Sequence, residues 1–354
     1  MRTTLRFSFS LGIVCTVLRA ASLLPEAELP KQPETLSPER AVDAYLAVVE
    51  DAQQTRIKRA YAAERIVAMG PKAVPRIVAL FASADADRRG VLADVLGRMK
   101  KPGPTATAVL LDDFRRRGLK THPNVIEALG TLKVAEATPL MLTLLEGAKD
   151  DVRRALLRAL SRAEDPSAAD ALVAGLDSDD RRVRLHCTHG TLDLLVKLKP
   201  KKRSVVEDSA YRALRARVVR YIRQGKRPDV RRMLITGVAR VDDREVTYVL
   251  RRVLRTESAP LQRAAARSLG KLKDLDAVDR LAGLIDSDDA ALRRAVRDAL
   301  GDIGDVRCVP DLIAQLETRD ASERRHIINT LRKVSGESFG DNPDQWRRWW
   351  QKKG

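Results

Sequence analysis

Aromatic residues are scarce in this chain: five Phe, five Tyr and three Trp make up 4 % of 354 residues. Large side chains of this kind normally fill a single big core, so one compact centre is disfavoured. Histidine is scarcer still, at positions 122, 186, 189 and 326. His186 and His189 stand i, i+3 on one helix with Cys187 pointing away, but zinc needs three or four converging ligands. No third ligand presents itself. Nor is there a phosphate-cradling glycine loop, a serine elbow or a nucleophile with its base. The sequence therefore offers no catalytic residue, no metal ligand and no cofactor site. Cysteine is limited to Cys15, Cys187 and Cys308. The last two fall about four repeats apart in the reading below. Helix layers lie roughly 8–10 Å apart, whereas a disulfide needs Cα atoms within about 7 Å. Both are expected to be small core residues.

Long apolar runs are also missing, except at the start. Arg2 and Arg6 precede an apolar stretch from Phe7 to Leu18, followed by Ala20, Ala21 and Ser22. A charged start, a short apolar run and small residues are the parts of an export signal, and the run is short for a membrane span. Residues 1–22 are thus expected to be a signal peptide, with an N-terminal membrane anchor as the alternative. A proline-rich lead-in over 23–38 follows. The expected location is periplasmic or secreted, with no stable membrane span after cleavage.

What the chain has in abundance is Leu, Ala, Val and Arg. Apolar residues reach 44 % and charged residues 32 %, with a net charge of +18. Disorder requires the opposite balance between apolar and charged residues. Arginine outnumbers lysine 48 to 18, and its planar fork of donors suits carboxylates and phosphates.

The apolar residues repeat. Positions two and six after Pro75, Ala108, Pro139, Asp170, Arg212, Tyr248, Asp279 and Pro310 are apolar, and these starts lie 33, 31, 31, 42, 36, 31 and 31 residues apart. A second anchor follows each start, at Leu96, Leu129, Leu160, Leu192, Val238, Leu269, Leu300 and Leu331; six of the eight offsets are 21. Each unit therefore holds two helices, A and B. B segments such as Leu292, Ala295, Val296, Ala299, Leu300 and Ile303 carry helical spacing. Asp177–Asp180 and Asp286–Asp289 sit between A and B, where their oxygens can cap orphan amides. Pro75, Pro139 and Pro310 suit helix starts. Gly97, Gly130, Ser161, Gly270 and Gly301 follow B anchors, where a missing side chain would let the paired helices approach closely.

The segments Val74-Pro-Arg-Ile77-Val-Ala-Leu80 and Asp288-Asp-Ala-Ala-Leu292-Arg-Arg-Ala-Val-Arg-Asp-Ala-Leu300-Gly-Asp-Ile303-Gly-Asp305 resemble the HEAT-repeat family, in particular its short class shared with phycobilisome lyase-type repeats. The resemblance implies an all-α, right-handed α-solenoid (an armadillo-like, HEAT superhelix) of about eight helix pairs with terminal caps. The expected layout is an N-terminal helical cap over 39–70, an array over 71–336 and a Trp-rich C-terminal cap over 337–354. Trp346, Trp349 and Trp350 share one helix face there. The resemblance also implies that the arginine pairs at 153–154, 231–232, 293–294 and 324–325 meet the inter-helix Asp of an adjacent unit. Metal-dependent hydroxylases of this family carry His-Glu pairs. This sequence has no His-Glu dipeptide.

One longer unit, 198–241, breaks the rhythm. From Lys197 to Arg255 there are 19 Lys or Arg against six Asp or Glu. The spacing predicts a helix over 204–224 with Tyr211, Leu214, Val218, Tyr221 and Ile222 on its apolar face. Lys201, Lys202, Arg203, Arg212, Arg215, Arg220, Arg223, Lys226, Arg227 and Arg231 are the candidate binding residues, expected to form a cationic surface. The expected function is a non-enzymatic scaffold that binds an acidic protein segment or another anionic polymer. Nucleic acid is a poor partner for an exported chain. An intracellular nucleic-acid-binding protein is the alternative, and a lyase or isomerase the third reading.

Overall fold

The computed structural model describes residues 36–200, 208–317 and 320–353. The export-type segment, most of the lead-in and Lys201, Lys202 and Arg203 lie outside the described residues. The described residues form 19 α-helices, several entered by short 3₁₀ turns, and no strand. Contacts divide the chain into two compact units, Met1–Ala168 and Ala169–Gly354.

The first unit contains α1 (Pro38–Glu50), α2 (Arg56–Met69), α3 (Val74–Ser83), α4 (Ala86–Arg98), α5 (Pro104–Arg117), α6 (Pro123–Thr131), α7 (Thr138–Leu145) and α8 (Asp150–Ala163). The second contains α9 (Ala169–Gly175), α10 (Arg181–Leu198), α11 (Ser209–Gln224), α12 (Pro228–Gly237), α13 (Arg244–Thr256), α14 (Ala259–Leu272), α15 (Val278–Ala282), α16 (Ala290–Ile303), α17 (Val309–Ala314), α18 (Ala321–Ser335) and α19 (Pro343–Lys353). In each unit the second helices of successive pairs stack on one another: α2, α4, α6 and α8 in the first, α10, α12, α14, α16 and α18 in the second. The first helices form a second layer, α1, α3 and α5 in one unit and α9, α11, α13 and α15 in the other. All eight B anchors are buried, as are Ile77, Phe81, Leu110, Phe114, Leu172, Leu176, Leu250, Leu254, Leu281 and Ile285 of the A helices. The fold is an α-solenoid of stacked helix pairs, which the fixed apolar offsets imply: a lone pair cannot bury its apolar face without a neighbour.

The sequence places the glycines correctly but suggests the wrong neighbour for them. A Cβ on Gly130 would stand 2.4 Å from Ala159 Cα, and one on Gly270 would stand 2.8 Å from Ala299 Cα. Ala159 and Ala299 belong to the next B helix, α8 and α16, not to the paired A helix. The residue after one anchor thus meets the residue before the next, and backbone nearly touches backbone.

The loop aspartates cap as expected. Asp180 accepts from the amides of Arg182 and Val183, and Asp289 from that of Leu292. One B-helix position adds a further stitch. Arg184 donates to the carbonyls of Ser178 and Asp179, and Arg293 to those of Ser287 and Asp288. Each closes off its own A–B corner and then reaches an acid on the following B helix, Asp229 at 3.1 Å or Glu323 at 2.6 Å. Arg231 likewise donates to Ile222 O, but its acid, Glu257, lies just past the end of α13 and not on the next B helix. Arg153 donates to Leu145 O, and Arg154 pairs within its own helix with Asp151.

In α19, Trp346 is fully buried and donates its indole N–H to Gly340 O at 2.9 Å. Its ring meets Phe339 edge-on at 4.9 Å and Trp349 at 6.1 Å, and the helix packs on α17. This covers the last A helix with aromatic area that would otherwise face water.

Candidate binding surface

The most basic helix, α11, is stitched in on two sides. Tyr211 and Arg215 reach Asp243, each at 2.8 Å, and Arg215 also reaches Glu245 at 2.9 Å. Arg215 is 7 % exposed and sits 5.4 Å from the centroid of the Tyr211 ring. Burial alone would raise the Asp243 carboxyl, but bonds from Tyr211 and Arg215 outweigh it and hold the group below the usual carboxylate range. Asp243 also caps α13 by accepting from the amides of Glu245 and Val246. On the other side, the Tyr221 hydroxyl donates to Asp177 Oδ1 at 2.6 Å, Arg217 pairs with Asp170, and Arg227 pairs with Asp179. Burial, followed by the bond to Asp177, pushes the Tyr221 phenol upward.

These contacts sort the candidate residues. Arg215 is spent in a buried cluster, Arg231 is paired with Glu257, and Arg227 is engaged with Asp179. They are structural cations and do not form part of a free surface. Arg212, Arg220, Arg223 and Lys226 are exposed. The first three share one face of α11 at spacings of eight and three residues, opposite the buried Leu214, Val218 and Tyr221. Arg232, Arg244, Arg252 and Arg255 are exposed nearby in the chain. Of the ten candidate residues, Arg212, Arg220 and Arg223 thus remain exposed together on one face of α11.

The sequence underrates Tyr248. It is 57 % exposed on α13, on the rim of an open groove of about 820 Å³ lined also by Arg252, Arg255 and Arg280. Arg251, on the same groove, is held by Asp274 and Asp276. An exposed ring among guanidinium groups offers apolar area beside charge. Its signal was an aromatic residue at an A-helix start that most repeats fill with Pro or Asp.

Cys187 and Cys308 are separate buried thiols, each pushed up to about 12 chiefly by burial. No cluster of three or more His, Cys, Asp or Glu able to hold a metal occurs among the described residues. No single described helix is long and apolar enough to cross a membrane.

Comparison with known families agrees with the helix pairs. The family model for HEAT repeats matches residues 122–190 and 216–301, and that for the PBS lyase HEAT-like repeat matches 292–318. No curated protein matches the chain. Among solved structures, Kap121p bound to RanGTP is similar over 96 % of this chain and 46 % of its own, with 13 % identity and a TM-score of 0.55. Kap121p alone gives 92 % and 39 %, 11 % identity and 0.52. The chain thus spans less than half of Kap121p, and at this identity the likeness concerns fold alone. Human deoxyhypusine hydroxylase in complex with glycerol matches over 85 % of this chain and 98 % of its own at 20 % identity, but its TM-score of 0.32 carries no structural argument. Two repeat models falling on helix pairs that stack B upon B, with apolar anchors at a fixed interval, identify residues 122–190 and 216–318 of this chain as HEAT repeats.

Proposed function

We propose that this protein is a binding scaffold, not a catalyst, which takes an acidic segment of a partner protein on the solvent faces of α11 and α13. The reading rests on one observation: Arg212, Arg220 and Arg223 stay exposed on one helix face, while Arg215, Arg217, Arg227 and Arg231 are consumed by neighbours. Arginine forks present paired donors to carboxylates, and Tyr248 supplies apolar contact beside them. Kap121p, similar in fold, is itself seen with RanGTP. The same proposal puts this activity outside the cytoplasm, and the export-type pattern of residues 1–22 supports that reading.

Binding of fluorescent poly-glutamate to the full chain at two salt concentrations tests the surface. Wild type should bind and weaken as salt rises. The combined Arg212→Gln, Arg220→Gln and Arg223→Gln variant should bind more weakly with a flatter salt response. Equal affinity in both proteins would remove this face from the account.

A further inference from the structure

A second cationic feature lies in the B layer of the second unit. Three residues before each B anchor, the repeat carries Ala93, Ile126, Leu157, Ile235, Ala266 and Ile328, the first five of them fully buried. The unit of α10 has an exposed histidine there, His189. In α16 the position holds Arg297, only 2 % exposed. A buried guanidinium thus occupies a site that six of the eight units give to hydrocarbon. Its own fold does not satisfy it. Arg297 Nη2 lies 3.3 Å from Glu323 Oε1, an oxygen already taken by two shorter bonds from Arg293 at 2.6 and 3.0 Å. Arg297 Nε and Nη1 are buried with no hydrogen-bond partner. Leaving such donors unmade costs about 1–3 kcal/mol each, and places where a sequence breaks its own local rule tend to be functional.

Arg297 lines an open cavity of about 470 Å³ between α14, α16 and α18. The small residues Ala299 and Gly301 lie on the α16 side of the cavity, and Arg267, Lys271 and Lys333 contribute further cations. Only Asp298 and Asp302 oppose them. Asp302 is paired with Lys333, and Asp298 lies 3.0 Å from His326 Nε2. Four cationic side chains line the cavity against two acidic ones, a balance that favours negative oxygen.

We propose that α14, α16 and α18 form an oxyanion site, with Arg297 at its base and Arg267 and Lys271 at its rim, which takes one phosphate or carboxylate group of a ligand. This site lies on the opposite helix layer from the face of α11, so each can stand without the other. Calorimetric titration of the full chain with inorganic phosphate, and separately with glutarate, at constant ionic strength tests it and distinguishes the two oxyanion sources. Wild type should show one saturable site for at least one of them. Arg297→Leu restores the repeat's apolar residue and leaves Arg293 on Glu323; it should lose about tenfold or more in affinity, as expected for a charge-assisted contact. Arg267→Ser with Lys271→Ser, both at exposed positions, should weaken binding without changing thermal unfolding, and it decides the matter if the leucine variant folds poorly. The Arg212, Arg220, Arg223 variant should bind phosphate as wild type does. No saturable binding of either anion, or equal binding in the Arg297→Leu or rim variants, would overturn the proposal.

Discussion

The junctions α11–α13 and α14–α16 do the same job with opposite materials. In the first, two A helices are joined by a buried polar cluster of Tyr211, Arg215 and Asp243. In the second, two B helices meet through Gly270 against Ala299, where backbone nearly touches backbone. The glycine seam recurs at Gly97 with Ala128 and at Gly130 with Ala159. The polar cluster stands beside the one unit that the repeat lengthens. Apolar offsets suffice to stack helices of standard spacing. Where the chain between them grows, directional bonds at fixed partners hold the register that spacing no longer specifies.

The comparison breaks most strongly at Asp243. Asp243→Ala leaves Arg215 charged and buried, and chemical denaturation should show a loss of about 3–5 kcal/mol. The cut in a regular pair, Glu323→Gln, should cost less, because Arg293 keeps its two carbonyl partners and the amide oxygen can still accept from buried Arg297. Next comes Gly270→Ala. Its methyl would stand 2.8 Å from backbone, and overpacking should cost about 1–3 kcal/mol, read as a lower unfolding midpoint.

Acid sharpens the contrast further. Asp243 and Glu323 are both held below their ordinary range: Asp243 because partner bonds outweigh its burial, Glu323 chiefly by Arg293. A lowered native value means stability that is complete above the unfolded carboxyl range, near pH 4, and lost as pH falls through the native values. Unfolding followed against pH should therefore fall on the acid side, and Asp243→Asn should flatten part of that fall. The smallest effect is Gly301→Ala. Its nearest neighbour is the flexible end of Lys333 at 3.3 Å, so the better helix former should be neutral or stabilising by up to about 1 kcal/mol. Gly270→Ala and Gly301→Ala should differ in sign, although both follow a leucine anchor.

Much of this fold was legible because its information is periodic. Leu269, Leu300 and Leu331 repeat at 31 residues and are all buried. Which helix a glycine faces was not legible, since a one-dimensional offset names a position and not its neighbour. Part of the surface was readable in hindsight. Arg215 stands four residues after Tyr211 and three before Val218, on the buried stripe, whereas Arg212, Arg220 and Arg223 lie off it. Arg297 likewise interrupts a column three before the anchors that is apolar in six of the eight units. The partners that consume Arg217 and Arg227 lie more than 40 residues away in sequence, and no local pattern announces them.

The account depends most on which cations remain available after packing. Hydrogen exchange of the full chain with and without poly-glutamate measures this directly. Protection should rise within Ser209–Gln224 and Arg244–Thr256 and leave α6 and α8 unchanged. Protection spread evenly along the chain, or confined to helices other than α11 and α13, would contradict it.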